Sequence, residues 1–135
     1  MKFEPANLVP PQVKHLGMGH VTYVYLKFPS NFWGDKLLQT YADEEPGVYL
    51  NYINYDKVVP GSNTLLVISD KSTESKSKEQ IKADVMLRLK QMFGEAIPDP
   101  IDLMHSTWAT NPYTQGSWTF YGLNPEGNVV PEIEA

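Results

Sequence analysis

"HVTYVYLKF" (20–28) is the stretch from which the fold is read. Its β-branched and aromatic side chains favour a pleated backbone, and Pro29 ends the run. A period of two sorts it into two faces, Val21, Tyr23, Tyr25, Lys27 and Thr22, Val24, Leu26, Phe28. The second carries no charge and is the expected core face. Such a strand needs neighbours, and three follow. "LLQTYA" (37–42) is expected as a short strand. "VYLNYINY" (48–55) is expected as a strand with Val48, Leu50, Tyr52 on one face and Tyr49, Ile53, Tyr55 on the other. "TLLVIS" (64–69) is apolar throughout, as a central strand is. The turns between them are "SNFWGD" (30–35), "DEEPG" (43–47) and "PGSN" (60–63).

The pattern then changes. "DKSTESKSKE" (70–79) reads as a solvated loop leading into a helix. Ser77 and Gln80 have the spacing of a capping box, and Ile81, Val85, Leu89, Met92 and Phe93 recur at intervals of three and four or their sums. The spacing predicts a helix over 78–93, stopped by Gly94. "IPDP" (97–100) is a rigid turn and "IDLMHSTW" (101–108) a further strand. Residues 1–19, rich in Pro and Gly, read as an extended lead-in, and the acidic tail "NPEGNVVPEIEA" carries little pattern. The order predicts an α+β fold, a mixed β-sheet flanked by one main helix, in a single domain spanning 1–135.

The chain has 135 residues, which suits one compact domain. A formal net charge of −5 argues against a nucleic-acid partner, since phosphate binding needs a basic face. No stretch approaches the ~20 apolar residues of a membrane-spanning helix. With no cysteine there is no disulfide or thiolate chemistry, which leans toward a reducing, cytoplasmic compartment.

Few motifs carry chemistry. The sequence has neither G-x-G-x-x-G nor G-x-x-x-x-G-K-[ST], so no Gly-rich phosphate cradle is expected. Asp102 and His105 are three apart, and on a strand that spacing sends them to opposite faces, where they cannot share a metal. Ser106 lies outside any G-x-S-x-G elbow. Glu44 and Glu45 sit in a Pro-Gly turn and read as solvated. The unusual feature is "HSTWATNPYTQGSWTFYG" (105–122), whose aromatics keep neither strand nor helix period. Tyr23, Trp108, Tyr113, Trp118 and Tyr121 are therefore candidates to line an apolar pocket or stack on a flat ligand.

Five segments occur in an order that carries a resemblance: "LKFPSNFW" (26–33), "LLVISD" (65–70), "IKADVMLRLKQMFG" (81–94), "IPDP" (97–100) and "WATNPYTQGSW" (108–118). Together they resemble the substrate-domain portion of flavin-dependent amine oxidases, closest to the polyamine oxidase branch, over about residues 2–122. The resemblance implies a sheet packed beside an FAD-binding domain, with the amine pocket between sheet and flavin. It implies that Tyr23 and Trp108 lie on the FAD side, that Gly116 and Ser117 form a tight turn, and that Trp118 is a wall of the substrate pocket. Many members carry, where Tyr23 stands, a lysine that holds a water near the flavin, and plant polyamine oxidases carry a tyrosine where Val21 stands. Lys27 is displaced from Tyr23 by about 13 Å at ~3.3 Å per residue, beyond a lysine's reach. The chain is expected to be one internal piece of a larger enzyme, without the dinucleotide-binding domain. On this reading the parent oxidises the C–N bond of an amine or polyamine by hydride transfer to FAD, and the isolated chain is inactive unless a companion chain supplies the FAD domain. The alternative is a stand-alone, non-catalytic amine-binding or protein-interaction module.

Overall fold

A computed structural model describes residues 16–44 and 46–121. The acidic tail, Glu45 and most of the Pro- and Gly-rich lead-in lie outside those residues. Seven strands and one helix are described: β1 (Leu16–Gly19), β2 (Thr22–Lys27), β3 (Leu38–Thr40), β4 (Asn51–Asn54), β5 (Thr64–Ser69), α1 (Lys78–Phe93), β6 (Asp102–His105) and β7 (Trp118–Tyr121). Five strands form a sheet in the order β3-β4-β5-β2-β6, and β1 and β7 form a separate two-stranded ladder. The architecture is α+β with one main helix. All pairings among the described residues are antiparallel.

The opening stretch is the middle of this sheet. Val24 pairs with Val67 on one side and His105 on the other, and Leu26 pairs with Leu65 and Leu103. Thr22, Val24, Leu26 and Phe28 are all buried, as the alternation requires. Their face, joined by Leu65, Val67, Tyr52 and Leu103, receives Ile81, Val85, Met86 and Leu89 of α1. Met92 and Phe93 pack at the margin of the same cluster. The capping box is present: Ser77 Oγ accepts the Gln80 N–H at 3.2 Å and Gln80 Oε1 accepts the Ser77 N–H at 2.8 Å. Gly94 ends the helix at φ +93°. The aromatics of the 30–35 turn fold inward: Phe32 and Trp33 meet each other at 4.9 Å between ring centroids, edge to face, and both meet Phe28.

Three expectations are corrected. The strand expected over 48–55 occupies only Asn51–Asn54, because Tyr49 adopts φ +47° and resets the alternation. Val48 and Tyr49 are both buried while Leu50 is exposed. The left-handed turn is held by contacts specific to Tyr49. Its N–H donates to Ser69 Oγ at 3.0 Å, its hydroxyl donates to Asp84 at 3.3 Å, and Lys76 and Arg88 lie over its ring. Second, the polar run 70–79 is not wholly solvated. Lys71–Ser75 forms a short 3₁₀ turn in which Thr73 and Glu74 are buried. Third, the lead-in ends as strand β1, whose partner β7 lies about a hundred residues downstream.

Two predictions follow from this core. Leu89 is fully buried and Leu87 is exposed. Leu89→Ala is expected to cost about 2–5 kcal/mol in urea denaturation, and Leu87→Ala less than about 0.5 kcal/mol. Burial raises the phenol pKa of Tyr52, and burial likewise raises that of Tyr49. A raised folded-state pKa means that the unfolded chain loses its phenolic protons first. The contribution of these groups is therefore fully present below about pH 10 and is lost as pH rises beyond it. Circular dichroism should record alkaline unfolding above that point, and Tyr52→Phe should diminish the loss.

Candidate functional site

The face of the five-stranded sheet opposite α1 carries Tyr23, Tyr25 and Lys27 of β2, Ile68, Leu66 and Thr64 of β5, Ile53 of β4, and Met104 and Asp102 of β6. Leu66 is buried, Tyr23, Tyr25, Ile53 and Ile68 are partly exposed, and Met104 is exposed. Near Lys27 this face is partly covered by the turn after β4, where the rings of Tyr25 and Tyr55 meet edge to face at 5.6 Å. A cleft of about 220 Å³ lies there, lined by Tyr25, Tyr55, Val59, Asp102 and Met104 among others. Burial, with Tyr55 and Tyr23 adding to it, raises the Tyr25 pKa, so this phenol stays neutral at physiological pH. Lys27 pairs with Thr64 and Tyr23 with Ile68, so both lie on this face, four residues apart. Asp102 pairs with Lys27 and His105 with Val24, which puts the two on opposite sides.

At the Tyr23 end the aromatic stretch begins. The Tyr23 N–H donates to Ser106 Oγ at 3.0 Å and the Ser106 N–H donates to Tyr23 O at 2.9 Å, which ties the start of the loop to β2. The loop braces itself: Thr114 Oγ1 donates to Trp108 O at 2.7 Å, and the Gln115 N–H donates to Asn111 O at 2.9 Å. Its far end returns to the same region. The Ser117 N–H donates to Gly19 O at 2.8 Å, while Ser117 Oγ accepts the Val21 N–H at 3.0 Å and donates to Val21 O at 3.1 Å. Val21 and Tyr23 thus hold the two ends of one loop. Trp108 is 44% exposed on that loop and Tyr113 is 94% exposed at its tip.

Glycines decide where the next aromatics lie. In the β1–β7 ladder Gly19 pairs with Trp118 and Gly17 with Phe120. A Cβ on Gly19 would lie 2.4 Å from the Trp118 ring, and one on Gly17 would lie 2.3 Å from the Phe120 ring. Each ring therefore crosses its partner's backbone where only glycine leaves room. Gly116 is packed the same way against Met18. Trp118 and Phe120 remain about half exposed. The spacing that looked irregular in the sequence comes from this arrangement, in which Trp108 belongs to a loop and Trp118 to a strand.

Partly exposed Tyr23 and half-exposed Trp108 and Trp118 offer ring surface. The N-terminus of α1, where an anion would sit, is closed by its own capping box and carries Glu79 in its first turn. No group of three or more metal-ligating side chains occurs among the described residues, and none of their helices is long and apolar enough to cross a membrane.

The fold is an α+β domain with one sheet face covered by a helix and the other carrying aromatic side chains. The model of the family "Flavin containing amine oxidoreductase" matches residues 1–131, and the chain belongs to this family. Maize polyamine oxidase 1 is 32% identical over 110 residues, covering 76% of this chain and 22% of that protein. Lysine-specific histone demethylase 1 homolog 3 of Arabidopsis thaliana is 27% identical over 142 residues, covering 94% of this chain and 9% of that protein. A solved structure of wild-type putrescine oxidase bound to putrescine superposes with a TM-score of 0.65 at 20% identity, over 82% of this chain and 26% of that one. The chain thus spans about a fifth of the maize relative and less of the demethylase. FAD is the cofactor that family membership implies for the whole flavoprotein.

Sequence reasoning picked out Tyr23, Trp108 and Trp118 but missed Glu74, which binds the loop bearing Trp108. It also missed the pairing of β1 with β7; Gly17 and Gly19, alternating before the strongest strand, were the available signal. Gly19→Ala should displace the Trp118 ring and change the tryptophan emission spectrum. Ser117→Ala, which removes both hydrogen bonds to Val21, should cost about 1–2 kcal/mol in denaturant unfolding.

Proposed function

We propose that this chain is the substrate-domain segment of a flavin-dependent amine oxidase-like protein that acts on an amine of the polyamine class. The observation that carries the reading is the match of residues 1–131 with the amine oxidoreductase family, beside the ring surface left exposed at Trp108 and Trp118. Tyr23 and Trp108 are the flavin-side residues and Trp118 is a wall of the amine pocket. FAD would be held by a dinucleotide-binding domain elsewhere in the parent or in a companion chain, and it would supply the hydride acceptor for oxidation of the C–N bond. This chain's part is to present ring surface, exclude water and orient the amine. Aromatic faces attract an ammonium group without requiring a fixed counter-ion. Tyr23 stands where a lysine is common in the family, so any water held there meets a neutral phenol rather than an ammonium.

The chain by itself is inactive on this reading, which places the grip on FAD in another domain. The half-exposed Trp108 supports a face meant to be covered, rather than a module completed by itself. Purified alone, the chain should carry no flavin absorbance and should release no hydrogen peroxide from putrescine or spermidine. An immunoblot of its source should show a band well above 15.3 kDa. Flavin bound to the isolated chain together with amine-dependent turnover would overturn the inactivity. A native band at the chain's own mass, with no flavin-bearing partner, would favour the binding-module alternative.

A further inference from the structure

We propose that Glu74 is a positioning residue for Trp108: its buried carboxylate, bound to the backbone N–H groups of Ala109 and Thr110, sets the loop that presents the indole. Glu74 is only 8% exposed. Its oxygens accept the Ala109 N–H at 3.0 and 3.1 Å, the Thr110 N–H at 2.9 Å and the Thr110 hydroxyl at 3.0 Å. These are charge-assisted bonds, stronger than neutral ones, and a buried carboxylate needs such partners to be tolerated. They fall on the two residues directly after Trp108.

The other end of this brace is rigid. Asp70 caps the 3₁₀ turn by accepting the Ser72 N–H at 3.0 Å, and the Ser69 and Thr73 hydroxyls lie 2.7 Å apart. Thr22 Oγ1 donates to Asp70 O at 2.7 Å, so the turn is tied to β2 as well as to β5. Glu74 therefore relays the position of the central strands to the middle of the loop, whose ends Ser106 and Ser117 fix independently. With the ends held, losing the middle anchor frees the segment around Trp108 without detaching the loop. That Trp108 faces the flavin is the reading of the preceding subsection, on which the functional meaning of this brace rests.

The test uses the full 135-residue chain labelled with 5-fluorotryptophan, whose three resonances come from Trp33, Trp108 and Trp118. Single Trp→Phe variants assign them. Glu74→Ala should move the Trp108 resonance while those of Trp33 and Trp118 stay in place. It should also speed amide exchange at Ala109 and Thr110 by about tenfold or more. Glu74→Gln, which keeps one acceptor oxygen and the side-chain length, should restore part of both effects. Thr110→Val should show a smaller shift that Thr110→Ser reverses. If Glu74→Ala fails to fold, the Glu74→Gln and Thr110 pairs decide. An unmoved Trp108 resonance in folded Glu74→Ala, or, where that variant does not fold, in both Glu74→Gln and Thr110→Val, overturns the proposal, as does a uniform shift of all three resonances. Neither flavin nor amine is present in the measurement, so its failure leaves the functional reading standing, and failure of that reading leaves this brace intact.

Discussion

The backbone of Thr22–Lys27 is hydrogen-bonded along both edges, to β5 on one side and β6 on the other, and the remaining structure is arranged around that doubly paired strand. A central strand cannot shift by one residue without exchanging its buried and open faces. Val24 and Leu26 therefore commit Tyr23, Tyr25 and Lys27 to the opposite side. The helix then covers the first face through Ile81, Val85 and Leu89 and leaves the second to the aromatics. One register choice thus determines both the core and the surface on which any ligand or partner would act.

The aromatic stretch is anchored where β2 begins. Val21 and Tyr23 each spend their N–H and C=O groups on a serine from the aromatic stretch, Ser117 and Ser106 respectively. This converts a loop of more than ten residues from a mobile excursion into a braced element. The short polar side chain is suited to the task, because a serine hydroxyl both donates and accepts. The two-stranded ladder adds a second support, with glycine backbone under the Trp118 and Phe120 rings. Aromatic surface is thereby held in place without being buried.

The chain belongs to the flavin-containing amine oxidoreductases, and FAD is the cofactor that this membership implies for the whole protein.

What the sequence determined by itself was local and periodic. The alternation in 20–28 identified the core face, the three-and-four spacing identified α1, and Ser77 with Gln80 marked its start, because each signal lies within a few residues of chain. The aromatic residues of interest were legible too, as an excess without a period. Only the tertiary structure decided the rest. Tyr49 takes a left-handed conformation because Ser69, Asp84, Lys76 and Arg88 converge on it from distant segments. Gly17 and Gly19 acquire a purpose only when β7 returns to lie beside them. Glu74, one acid in a polar run, became a buried anchor because its partners are main-chain N–H groups thirty-five residues away. Backbone donors are the same at every position, so no side-chain pattern can announce which of them will be brought to a carboxylate by the fold.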